Sequence, residues 1–135
     1  MPSIDDIYLG NPNLKKANTE IEFTQEQILE FMACKADPVY FAKKYIKIVS
    51  LDEGLVPFDL YPFQEKLIRN FHEERFNICK MPRQTGKSTT CVSYLLHYAV
   101  FNDNVNIAIL ANKASTARDL LGRLQLAYEN LPKWM

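Results

Sequence analysis

The chain has 135 residues, 47% of them hydrophobic, and its sixteen basic and sixteen acidic side chains cancel to a formal net charge of zero. That is one domain's worth of chain with apolar residues enough for a core. It excludes a polypeptide whose overall positive field alone would hold nucleic acid, while a local basic face stays open. Cys34, Cys79 and Cys91 are odd in number and lack metal-ligand spacing, so they read as reduced core cysteines of an intracellular protein. His72 and His97 each stand alone in helical stretches and read as packing or surface residues. Residues 1–6 carry acids where a signal peptide needs bases, and no uncharged apolar run reaches membrane-spanning length. These features predict a cytoplasmic protein.

Taken in order, residues 1–22 mix proline, asparagine, glycine and charge, and predict an irregular or mobile arm. Thr24 followed by Gln27 has the spacing of a capping box, which predicts a helix from Gln25. Asp37-Pro38 predicts a second one, an acidic cap followed by proline where its missing N–H does no harm. Residues 46–54 run from apolar positions into Asp52-Glu53-Gly54. The run resembles a magnesium-binding strand of nucleotide hydrolases, but such a strand follows the phosphate loop in the chain. The turn residues predict a solvated bend instead. Tyr61-Pro62 opens a third helix, with Phe63, Leu67, Ile68 and Phe71 as its expected buried stripe. On position alone, Gln64 reads as an exposed first-turn residue.

Residues 76–81 predict a short strand of a buried parallel sheet. Met81-Pro82-Arg83-Gln84-Thr85-Gly86-Lys87-Ser88 follows, and then a helix apolar on nearly all sides. This is the order of a phosphate-binding loop: a strand, a tight glycine turn, Lys-Ser and a helix. Such a turn directs backbone N–H groups at one point, and the helix dipole adds to the field there. Gly86 would let the backbone approach an oxyanion, Lys87 would reach the β- and γ-phosphates, and the Ser88 hydroxyl would hold Mg2+. Met81 stands where the usual pattern G-x-x-x-x-G-K-[ST] has its first glycine. The competing reading is a basic surface turn at a helix start. Residues 105–111 predict a second buried strand, and a last helix starts near Ser115. Strand, helix, strand, helix with short links predicts a parallel sheet with right-handed crossovers.

Several segments together resemble the N-terminal part of the large terminase subunit of tailed bacteriophages. They are Asp37-Pro38-Val39-Tyr40-Phe41, Gly54-Leu55-Val56-Pro57-Phe58, Leu60-Tyr61-Pro62-Phe63-Gln64, Arg83-Gln84-Thr85-Gly86-Lys87-Ser88 and Ile109-Leu110-Ala111-Asn112-Lys113. The likeness covers roughly residues 24–135, and that family tolerates a missing first glycine and carries an arginine in the loop. It implies a P-loop NTPase of α/β class: a parallel sheet with flanking helices, truncated, and preceded by a small helical region. Residues 1–23 would be the arm, 24–60 the helical subregion and 61–135 the first half of the ATPase domain.

The resemblance further implies an ATPase that drives viral double-stranded DNA into a capsid with ATP and Mg2+. Its partners would be a portal protein and a small terminase subunit, and the full-length protein would form a ring. Gln64 would contact adenine, and Arg83, Gln84, Thr85, Gly86, Lys87, Ser88 and Thr89 would surround the nucleotide. Arg83 would stabilise charge on the transferring phosphoryl group, beside Lys87; alternatively, it is an exposed charge that only steers anions. The family's Asp-Glu strand and nuclease domain do not follow Met135. The expectation is therefore weak nucleotide binding and little or no hydrolysis by this chain alone. A helicase-like ATPase segment and a non-catalytic nucleotide-binding chain are the two competing readings.

Overall fold

The computed structural model describes residues 7–135; the acidic start, residues 1–6, lies outside them. Residues 7–15, expected in an irregular arm, form a short antiparallel hairpin of β1 (Ile7–Tyr8) and β2 (Asn11–Lys15). Leu9 and Gly10 between them both have positive φ, as a two-residue hairpin turn matched to strand twist requires. A second hairpin joins β3 (Lys47–Ser50) and β4 (Gly54–Pro57), in register from Lys47 opposite Pro57 to Ser50 opposite Gly54. Its turn, residues 51–53, is the exposed bend that Asp52-Glu53-Gly54 predicts.

Among the described residues, five helices carry the rest: α1 (Gln25–Ala36), α2 (Pro38–Tyr45), α3 (Pro62–Glu73), α4 (Lys87–Phe101) and α5 (Ala114–Glu129). The capping box forms as its spacing predicts, with Gln27 N–H on Thr24 Oγ1 at 3.2 Å and Thr24 N–H on Gln27 Oε1 at 3.0 Å. Asp37 ends one helix and begins the next. Its N–H donates to Ala33 O, while its carboxylate accepts from the N–H groups of Val39 and Tyr40. A cap of this kind is worth about 1 kcal/mol.

Helix α2 packs on α1, α3 and α4, and α4 in turn packs on α3 and α5. Phe41 lies at the centre, fully buried, with the rings of His97 and Phe101 each 5.4 Å away. Cys34, Val39, Ala42, Ile46, Phe58, Leu60, Ile68, Leu96, Ala127 and Leu131 pack with them in this core. A polar knot ties α1 to α2: Glu30 accepts from Tyr45 at 2.9 Å and Tyr40 at 3.1 Å and pairs with Lys44 at 2.7 Å. The Lys44 hydrogen bond holds the Glu30 carboxyl below its ordinary range. Burial, and then the Glu30 charge, push the Cys34 thiol up to about 12, so it stays protonated.

The expected parallel sheet does not form. The strands among the described residues make two separate two-stranded antiparallel hairpins, so the P-loop NTPase fold assignment is overturned. Residues 76–81 and 105–111 are written with strand-like residues, yet neither run has a ladder partner. An apolar run favours extended backbone but does not supply a neighbour, and a sheet strand exists only through its neighbour's hydrogen bonds. Phe76 is 82% exposed and Ile78 fully so, where a central strand would bury both. Helix α4, expected to lie on that sheet, is enclosed by helices instead. Cys79 is exposed rather than in the core. Among the described residues, no helix is long and apolar enough to cross a membrane.

His97 gives a pH test of the core. Its Nε2 lies 2.9 Å from Cys34 O, a group that only accepts, so Nε2 carries the proton and Nδ1 is left without a partner. Burial holds the imidazole below its ordinary value near 6.5. The unfolded chain therefore binds this proton more readily, and stability is intact above about pH 6.5 and declines below it. We expect the urea midpoint to fall between pH 7.5 and pH 5.5. His97→Gln, which can still donate to Cys34 O but does not titrate, should flatten that fall; an unchanged slope in the variant would place the titrating group elsewhere.

Candidate functional site

Helix α4 opens without a side-chain cap: its N-cap residue is Gly86, in the left-handed region at φ 74°. Thr90 N–H donates to Gly86 O at 2.9 Å, and Thr90 Oγ1 donates to the same oxygen at 2.9 Å. The N–H groups of Lys87, Ser88 and Thr89 lie ahead of this first rung, where a helix leaves its donors free. Gln84 also has positive φ, at 60°. Left-handed residues at alternate positions curl the backbone into the kind of turn that gathers N–H groups around an anion. For glutamine that conformation costs about 1–2 kcal/mol, so the fold sustains strain at this loop.

The loop closes on itself through Lys87. Its ammonium donates to Met81 O at 2.8 Å and Pro82 O at 3.1 Å, and Thr85 Oγ1 donates to Pro82 O at 3.1 Å. Met81 thus contributes a carbonyl, which any residue supplies. It has no positive φ, so the missing glycine there leaves no strain to explain.

Gln64 is 3% exposed, not the surface residue that its position suggests. Its Oε1 accepts from Tyr61 N–H at 2.9 Å, and its Nε2 donates to Thr85 O at 3.3 Å. The structure therefore brings together Gln64, Thr85, Gly86 and Lys87. Thr89 flanks them half-buried, and Arg83, Gln84 and Ser88 stand exposed at the same loop. Arg83 makes no ion pair among the described residues.

Nothing in the sequence singles out Tyr61, and Phe63 lies outside the buried stripe expected of it. Phe63, assigned to the buried stripe, is 44% exposed and stacks on Tyr61 with ring centres 5.8 Å apart and planes 6° from parallel. The inward-facing set is Gln64, Leu67, Ile68 and Phe71, the i, i+3, i+4, i+7 pattern of one helix face. The spacing was available in the sequence; the polarity of Gln64 concealed it.

Two other features carry less chemistry. Cys91, one turn into α4, has its thiol pushed up chiefly by burial, which makes it a poor nucleophile. A cleft of about 320 Å3 lies between β3, α4 and α5, with Ile46, Ile48, Val92 and Leu126 among its walls. The unpartnered Ser93 Oγ beside it is itself buried. Among the described residues, no group of three His, Cys, Asp or Glu side chains is placed to hold a metal ion.

Glycine is favoured at position 86 by its φ, and an added Cβ would lie 2.5 Å from Gln64 Nε2, so the end of that side chain would have to shift. Gly86→Ala should lower stability by about 1–2 kcal/mol from backbone strain alone, with the displaced amide adding to it. Combining it with Gln64→Ala removes the collision but not the strain. The pair should therefore be less than additive in urea unfolding, by about 1 kcal/mol. Strict additivity would show that the amide does not press on Gly86.

No protein-family model matches the chain.

Proposed function

We propose that residues 81–89 bind the phosphates of ATP with Mg2+, and that the chain is the nucleotide-binding portion of a phage DNA-packaging terminase large subunit. The observation that carries the reading is the Lys87 ammonium, held by the Met81 and Pro82 carbonyls beside an uncapped helix start. A cation and free N–H groups at one turn form an electrostatic receptor for a phosphate. Lys87 would exchange carbonyl contacts for phosphate oxygens, and Ser88, exposed at the first turn, would supply a hydroxyl to the magnesium ion. Arg83, free of ion pairs, would reach the outermost phosphate. The stacked Tyr61–Phe63 pair, on the surface next to Gln64, offers an aromatic face to a base.

The terminase part of the reading draws on the ordered segments between residues 37 and 113, and with it come double-stranded DNA, a portal protein and a small subunit as partners. The setting would be the cytoplasm of an infected bacterium. The phosphate contacts would come from the loop and the helix start, so that part of the reading does not rest on the parallel sheet, which the resemblance implies and the structure lacks.

A second reading, binding without turnover by this chain alone, has its own support. The groups bonded around the loop are an amide, hydroxyls, an ammonium and carbonyls, with no carboxylate among them to activate water. Calorimetric titration with magnesium ATP should show binding that weakens at least tenfold in Lys87→Ala. Equal affinity in the two proteins would sink the phosphate assignment. Steady phosphate release by the 135-residue chain, abolished in Lys87→Ala, would instead refute binding without turnover.

A further inference from the structure

Gln64 belongs to α3, whereas Thr85 and Gly86 belong to the loop that opens α4, twenty-one residues further along the chain. The buried Gln64 amide spans the two. Its oxygen is engaged by Tyr61 N–H and its nitrogen by Thr85 O. With one bond made at each end and the side chain only 3% exposed, the amide is poorly placed to reach a base. The resemblance to terminases implies an adenine contact, and the geometry implies a different task.

We infer that Gln64 is a positioning residue for the phosphate loop, acting through the peptide between Thr85 and Gly86. This rests on the loop being a phosphate site, as proposed above. The peptide unit is planar and trans, so its C=O and N–H point in opposite directions. Fixing Thr85 O on Gln64 Nε2 fixes the Gly86 N–H facing away from Gln64. The absence of a side chain at residue 86 lets the amide approach this closely, since a Cβ would lie 2.5 Å from Nε2. The same amide, through Tyr61 N–H, holds the start of α3, so the orientation of one loop donor is set by a helix packed on α4. The consequence is chemical: Gln64 serves any polyphosphate ligand, whatever base it carries.

The experiment compares magnesium ATP with inorganic tripolyphosphate, titrated calorimetrically into the 135-residue chain, Gln64→Met and Lys87→Ala. Methionine keeps the length of the side chain and occupies similar space but cannot donate to Thr85 O. Affinity for both ligands should fall by the same factor, roughly five- to tenfold, and the ligand-free Gly86 amide resonance should shift. A loss confined to ATP would make Gln64 a base contact and overturn the inference, as would unchanged affinity for both ligands. If the wild-type chain takes up neither ligand, or Lys87→Ala binds as well as wild type, the phosphate assignment itself fails and the inference with it. Should Gln64→Met not fold, Gln64→Glu replaces it. Its carboxylate, when ionised, accepts from Tyr61 N–H but gives nothing to Thr85 O, so in titrations run above the pH at which this carboxyl ionises tripolyphosphate affinity must drop; retained affinity there overturns the inference.

Discussion

One side-chain amide, that of Gln64, joins the helical core of this molecule to a loop whose backbone turns left-handed at Gln84 and Gly86. Its two hydrogen bonds are ordinary in length, and each is worth only about 1 kcal/mol net. Their significance lies in where they are made. A buried amide that lost either partner would be left with an unsatisfied group, which costs more than the bond contributes. The amide therefore favours one arrangement of α3 and the loop. Left-handed residues at 84 and 86 survive because the surroundings hold them.

The core explains how such a loop can be supported without a sheet beneath it. Helix α4 is enclosed by α2, α3 and α5, and its buried face mixes Val92, Leu96 and Phe101 with Thr90, Ser93 and His97. Thr90 and His97 carry particular tasks. Thr90 doubles the first rung at Gly86 O, and His97 reaches across to α1 at Cys34 O. The start of α4 is thus anchored to the loop and its middle to the N-terminal helices. A helix fixed at two points presents its first turn in a fixed direction.

The local signals were legible in the sequence because they depend on neighbours three or four residues away. Thr24 with Gln27, Asp37 with Pro38 and the Asp52-Glu53-Gly54 turn each stand as their chemistry requires. What could not be read was which element lies beside which. Residues 76–81 have the composition of a central strand, yet Phe76 and Ile78 face solvent, because strand propensity is settled by a partner and not by the run itself. The candidate site divides along the same line. Lys87 and Gly86 were visible in a short motif, while the burial of Gln64 depended on a contact with a loop twenty-one residues away, and polarity argued against it.

Asp37 has a consequence for how the molecule can vary in length. As cap to both α1 and α2, it leaves a one-residue elbow with no slack, its N–H spent on the helix behind and its carboxylate on the helix ahead. An extra residue wound onto either helix would rotate the downstream side chains by about 100°, turning Phe41 away from His97 and Phe101. The tip of the second hairpin is the opposite case: residues 51–53 are exposed, and added chain there costs little closure entropy. Insertions and deletions should therefore be excluded from the elbow and accumulate at the hairpin tip, so that the spacing from Thr24 to Phe41 acts as a fixed ruler.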